Sequence, residues 1–178
     1  TLESRGLGDV YKRQIKMYAI IDTETSGGKY NEEKIIEIAI IIYDGKNIID
    51  TFTTLIKPNV KVDYFVQKLT GIKNSDLVDK KTFKDYAELI SNLVSNKIIV
   101  GHNVEYDYRI LKNELETCNI KFSSETICTI KMSKEKYNDL KYYNLNYLCN
   151  YFNIKLKNHH RAYDDAFATL ELFKILNK

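Results

Sequence analysis

Asp22 and Glu24 close an otherwise apolar, β-branched run, Tyr-Ala-Ile-Ile-Asp-Thr-Glu. Two positions apart on a strand, their carboxylates share one face of a sheet. Like charges held together at a buried strand end are costly unless a cation offsets them, and hard divalent cations favour such oxygen ligands. The ordinary alternative is a strand end that surfaces into solvent. Asp107 follows a second apolar strand through Gly-His-Asn-Val-Glu-Tyr and falls at the start of a helix, where an acid can equally act as a cap. Near the C-terminus, Asn-His-His-Arg-Ala-Tyr-Asp-Asp-Ala puts His160 in a polar segment and Asp165 in the helix that follows. On one continuous helix, side chains five apart splay by about 140°. His160 therefore belongs in the loop before that helix, free to swing over a site that Asp165 lines. Asp164 reads as an acid favoured by the helix dipole, and His159 as an exposed neighbour. Each signal is weak alone; together they form a specific set.

The elements that must position these residues follow from the hydropathy pattern. Tyr18 to Glu24 reads as a central buried strand that ends in Ser26-Gly27-Gly28, a chain reversal. Lys34 to Tyr43 and Ile48 to Lys57 are two more strands, joined by Asp44-Gly45-Lys46-Asn47, a turn of the Asp-Gly hairpin kind. The first three strands thus make an antiparallel meander. Pro58, the only proline, closes the third. Val62 to Leu69 has apolar positions at helical spacing before Thr70-Gly71 stops it, and Phe83 to Val94 repeats that pattern. Lys97 to Val100 is a short strand, Tyr106 to Cys118 a helix, and Ile127 to Met132 a fifth strand or edge segment. Helices over Leu145 to Phe152 and Tyr163 to Leu176 complete the chain. The sum is an α/β layout, a mixed five-stranded sheet flanked by helices, which several folds share.

The chain has 178 residues, 44% of them hydrophobic, enough for one well-buried core and too few for two ordinary domains. Its formal charge is +3, of which Arg5, Lys12, Arg13 and Lys16 against Glu3 and Asp9 contribute +2. The remainder is close to neutral, which neither demands nor excludes a nucleic-acid partner. Cys118, Cys128 and Cys149 stand apart without zinc-ligand spacing, so no disulfide framework or zinc site is expected and a reducing, cytoplasmic home fits. The longest apolar stretch, Ile35 to Tyr43, is broken by Glu37 and falls far short of the roughly 20 residues that span a bilayer. Residues 1–16 lack a methionine and a signal-peptide core, and Gly6 to Gln14 resembles translated sequencing adapter. They are expected to be a non-native leader ahead of a single domain over residues 17–178, the alternative being a genuine flexible arm. The abundance of lysine, isoleucine and asparagine suggests an AT-rich bacterial genome.

Asp-x-Glu-Thr at 22–25, His-Asn-x-x-Tyr-Asp at 102–107 and His-Arg-Ala-x-Asp-Asp-Ala at 160–166 resemble the three motifs of the DEDDh 3′–5′ exonucleases, the family of the proofreading epsilon subunit of bacterial DNA polymerase III. The resemblance runs from about Met17 to Lys178 and implies a ribonuclease H-like fold. It implies that Asp22, Glu24, Asp107 and Asp165 ligate two Mg²⁺ (or Mn²⁺) ions and that His160 is the general base, near neutral pH with its ordinary pKa of about 6.5. A one-residue slip would pair His159 with Asp164 instead; Arg161-Ala162 after His160 favours the first register. Asp22, on the central strand, is the expected bridging ligand, and an all-oxygen site favours magnesium or manganese over zinc. Leu69 to Ile72 is similar to a family loop beside the terminal nucleotide, and Thr25, Leu69, Thr70, His102 and Asn103 are the implied substrate contacts. Tyr106, where many members have phenylalanine, and Ser26 depart from the pattern without removing a ligand. The implied substrate is a single-stranded or frayed 3′ end of DNA, with a polymerase or repair complex as a partner and no membrane. The alternatives are a 3′–5′ exoribonuclease, a non-catalytic single-strand binding module, and an endonuclease on the same scaffold.

Overall fold

The apolar run after Lys16 forms β1 (Tyr18–Thr25) in the computed structural model, which describes residues 16–178. The leader expected over residues 1–16 lies, apart from Lys16, outside the described residues. β2 (Ile35–Tyr43) and β3 (Ile48–Leu55) follow as antiparallel neighbours, then α1 (Tyr64–Thr70), α2 (Asn74–Leu77) and α3 (Phe83–Val94). β4 (Ile98–Gly101) pairs parallel to β1, and α4 (Val104–Thr117) leads to β5 (Thr126–Cys128), parallel to β4. α5 (Thr129–Lys136), α6 (Leu145–Tyr151) and α7 (Ala162–Leu176) close the chain. The sheet order β3-β2-β1-β4-β5 places β1 at the centre, as the sequence predicts for the strand that carries both acids.

Alternation along β1 and β2 divides the core into two layers. Ala19 and Ile21 of β1, with Ile38, Ile40 and Ile42 of β2, pack against Phe83, Ala87 and Ile90 of α3 and Ile110, Leu111 and Leu115 of α4. Tyr18 and Ile20, with Ala39, Ile41 and Tyr43, face the other way onto Ala162, Ala166, Leu170 and Phe173 of α7. Because both faces are covered, every residue of β2 is buried, which explains its almost continuous apolar sequence. The one exception is Glu37, only 4% exposed. Its partner is described below.

Local chemistry sets the boundaries. Asp44 Oδ1 accepts the Lys46 and Asn47 amides and so pins the β2–β3 hairpin. Gly71, at φ 75°, ends α1 in the left-handed conformation that glycine adopts without steric cost. Gly101 ends β4 where a Cβ would meet the Val104 backbone at 3.1 Å, so α4 can turn back closely over the strand. The expected strand over Ile127 to Met132 needs correction: it stops at Cys128 and the chain enters α5 at once. The buried positions of α5 are Thr129 and Ser133, four apart and both polar, so its helical stripe is invisible to hydropathy. α2, one turn long, is too short to show a period. Cys118, Cys128 and Cys149 are free thiols, and among the described residues no helix is long and apolar enough to cross a membrane.

Candidate active site

Asp22 and Glu24 continue the β1 face that upstream carries Tyr18 and Ile20, so they point to the side where α7 packs. Asp165 is buried in the first turn of α7. One carboxylate oxygen from each of Asp22, Glu24 and Asp165 can be chosen so that all three lie within 4.8 Å of one another. Asp107 is buried in the first turn of α4 and reaches the same strand: its Oδ1 accepts the Thr23 amide at 2.8 Å and the Thr23 hydroxyl at 2.7 Å. Those two bonds fix α4 against the residue between the paired acids.

Burial pushes the Asp22 carboxyl well above the usual carboxylate range, and Asp107, Asp165, Glu24 and Glu37 push it further. Glu24 is raised to about 8, chiefly by burial and then by Asp165, Glu37 and Asp107, with Arg161 opposing. Asp107 is raised to about 7 by burial, although its bonds from Thr23 work against the rise. Unionised acids are poor ligands, and ionised ones this close repel strongly; a hard cation among them resolves both costs. Asp22, Glu24, Asp107 and Asp165 therefore fit divalent metal binding by the chemistry of the donor set, four carboxylates to which, among the described residues, no basic side chain other than histidine is bonded.

Two histidines border Asp165. His159 Nδ1 lies 3.0 and 3.1 Å from its two oxygens, while His160 donates its backbone N–H to Oδ2 at 3.1 Å. The two rings stack with centroids 3.8 Å apart, and His160 sits at φ 67° in the turn before α7, as the splay argument expects of a residue outside the helix. Burial, then the neighbouring His159, lowers the His160 pKa, and Asp165 opposes them. A ring nitrogen of each histidine and an Asp165 oxygen also lie within 4.8 Å of one another. The structure thus brings the histidine of each possible register to Asp165, whereas Asp164 accepts from Asn158 Nδ2 at 2.9 Å.

The remaining sequence-predicted residues divide. The Thr25 hydroxyl hydrogen-bonds the Tyr106 hydroxyl at 2.9 Å, so the tyrosine that departs from the phenylalanine pattern has a bond phenylalanine could not make. Leu69 is exposed, but the Thr70 hydroxyl donates to Val66 O and accepts the Ile72 amide, which commits it to the end of α1. His102 Nδ1 lies 2.8 Å from the Thr129 hydroxyl, its Nε2 has no partner among the described residues, and burial lowers its pKa to about 4. Asn103 is exposed at φ 67°, forming the turn into α4.

Two further residues were not singled out by the motifs. Glu37, directly opposite Glu24 in the β1–β2 register, accepts Arg161 Nη2 at 2.7 Å, Arg161 Nε at 3.1 Å and the Ala162 amide at 3.0 Å. The signal was present: a carboxylate inside an all-apolar strand must have a partner. Arg109 donates to Asn31 and Glu33 and lies 4.2 Å from the Tyr30 ring centroid, holding the loop after β1 onto α4. No sequence period links residues so far apart.

The exonuclease family model RNase_T matches residues 19–173. The DNA polymerase III PolC-type of Caldanaerobacter subterraneus subsp. tengcongensis is 33% identical over 162 residues, 90% of this chain and 12% of that protein. The 3′-5′ exonuclease DinG of Staphylococcus epidermidis is 32% identical over 159 residues, 89% of this chain and 18% of that protein. The chain thus spans less than a fifth of either relative. E. coli exonuclease I in complex with a dT13 oligonucleotide superposes with a TM-score of 0.82 at 19% identity, covering 92% of this chain and 41% of that one, a likeness of fold.

Proposed function

The chain belongs to the exonuclease family, with its ribonuclease H-like fold, and we propose that it removes nucleotides from DNA 3′ ends by two-metal-ion phosphodiester hydrolysis. The observation that carries this reading is the convergence of four carboxylates from β1, α4 and α7, with Asp22, Glu24 and Asp165 oxygens within 4.8 Å, beside a histidine pair. The preference for DNA rests on the relatives, a PolC-type DNA polymerase III and a 3′-5′ exonuclease DinG, and so does a setting in replication or repair with a polymerase or repair complex as partner.

Asp22, Glu24, Asp107 and Asp165 hold Mg²⁺ or Mn²⁺, an oxygen set that suits hard ions better than zinc. Bound there, a pair of divalent ions supplies the positive charge that makes water nucleophilic and stabilises the leaving 3′ oxygen. Asp22, on the central strand and within reach of Glu24 and Asp165, would be the expected shared ligand if two ions bind. His160 takes the proton from the attacking water: its lowered pKa keeps the ring neutral and able to accept at neutral pH. The proton then leaves to solvent through an imidazole that is only partly buried. Thr25, Leu69, Thr70, His102 and Asn103 are the proposed contacts to the terminal nucleotides, Thr70 through its backbone because its hydroxyl is already engaged.

The test is a gel assay of the chain on 5′-labelled single-stranded DNA and RNA of one sequence, with Mg²⁺, Mn²⁺ or EDTA. The expected result is a metal-dependent ladder that shortens from the 3′ end, faster on DNA. Equal or faster shortening of RNA would transfer the proposal to an exoribonuclease. Cleavage of a circular strand would indicate internal cutting, and intact substrate with bound metal would leave a binding module.

A further inference from the structure

The Glu37–Arg161 pair joins the two strands of acids to the histidine turn. Arg161 is the N-cap residue of α7 but supplies no side-chain cap, because a guanidinium has no acceptor to offer a helix amide. Glu37 supplies it from β2, taking the Ala162 amide on one oxygen while both oxygens receive the Arg161 fork. The carboxylate is 4% exposed, so its charge is offset within the protein. Its Cα partner across the sheet is Glu24, and His160 is the residue immediately before Arg161. One carboxylate therefore fixes the distance between a β1 acid and the start of α7. Asp165 in turn holds the same turn by accepting the His160 amide.

We propose that Glu37 and Arg161 are positioning residues for hydrolysis, a clamp that sets the His159–His160 turn over the acidic site. This rests on the exonuclease reading for its catalytic consequence, and on geometry alone for the ordering of the turn. Arg161 also screens Glu24 from Glu37, two acids in register on adjacent strands. A lysine could offset the charge but could not make the planar two-point contact. Removing Arg161 alone strands the buried Glu37 charge and destabilises the fold, which would hide any positioning effect. Replacing both by leucine removes the two charges together and separates the roles.

The experiment compares wild type, the double variant Glu37→Leu/Arg161→Leu, and Arg161→Lys as the variant that keeps the charge. Melting temperature, kcat and KM on a DNA 3′ end with Mg²⁺, and hydrogen exchange of the Asn158 to Arg161 amides in metal-free protein are measured. The expected result is a melting temperature near wild type in Arg161→Lys and about 2–4 °C lower in the double variant, which loses the Ala162 cap. Both variants should have kcat about 10–100-fold lower, the scale of a small misplacement of a reacting group. KM should stay within a few-fold, and exchange of the turn amides should be faster. Wild-type kcat in a double variant that is folded at the assay temperature would overturn the proposal. So would unchanged exchange in Arg161→Lys. If wild type itself fails to shorten DNA, the exonuclease reading fails, and the exchange arm still decides whether the clamp orders the turn.

Discussion

At the scale of single residues, the site contains two imidazoles with different attachments to one acid. His159 bonds the Asp165 carboxylate through its ring, whereas His160 does so through its backbone and leaves its ring free of that bond. A group that hydrogen-bonds a metal ligand tunes metal affinity, and its loss costs about 10–100-fold; a general base contributes to turnover, about 10²–10⁴-fold. His160→Ala should therefore cut kcat by the second factor while Mn²⁺ affinity, followed by titration calorimetry, changes little. His159→Ala should weaken Mn²⁺ binding more than it lowers kcat at saturating metal. The reverse pattern would move the base to His159. The motif spacing admitted both, because two adjacent histidines precede two adjacent aspartates and spacing alone cannot choose between equal offsets.

At the scale of elements, each motif is delivered by a start or an end of regular structure: the end of β1, the first turn of α4 and the first turn of α7. That is why so much of the architecture was legible. β1, β2 and β3 announced themselves by apolar runs and an Asp-Gly turn, and α3, α4 and α7 by long apolar stripes. Two elements escaped because their buried residues carry no period: α5 hides Thr129 and Ser133, and α2 has four residues. In the candidate site Asp22 and Glu24 were legible from local spacing and Asp107 and Asp165 through the motif resemblance, whereas Glu37 and Arg109, whose partners lie 124 and 76 or more residues away, were illegible. α3 offers a control outside the site. Asp85 Oδ2 accepts both the Thr82 amide and the Thr82 hydroxyl at its start, at 2.7 Å each, and loss of such a cap costs about 1 kcal/mol. Thr82→Ala should lower the melting temperature by about 2–4 °C and leave exonuclease kinetics unchanged; a kinetic defect would tie α3 to the site in a way that its packing does not.

At the scale of the whole molecule, the acids make stability depend on pH. Glu24 and Asp107 hold protons up to about 8 and about 7 in the fold, against 4.5 and 3.8 ordinarily, and Asp22 is raised as well. For a raised carboxyl, the stabilisation is complete below the ordinary value and is lost as pH climbs through the folded one. His102, lowered to about 4, acts the other way, but mainly below pH 6.5, where the unfolded imidazole becomes charged. From pH 6.5 to 8.5 the carboxyls therefore set the slope. In EDTA the melting temperature should fall across that range, by about 2–4 °C for each kcal/mol lost, and Mg²⁺ should restore it most at the alkaline end. A flat profile in EDTA would mean that the acids ionise freely without metal. The same α7 that brings Asp165 also seals the core layer of Tyr18, Ile20 and Ile41 through Phe173 and Leu170. A nascent chain that has released β1 and α4 but not α7 possesses neither a finished core nor a finished set of ligands. Arming thus waits for α7, so a nascent chain from which α7 has not yet emerged has no assembled blade with which to cut nearby nucleic acid.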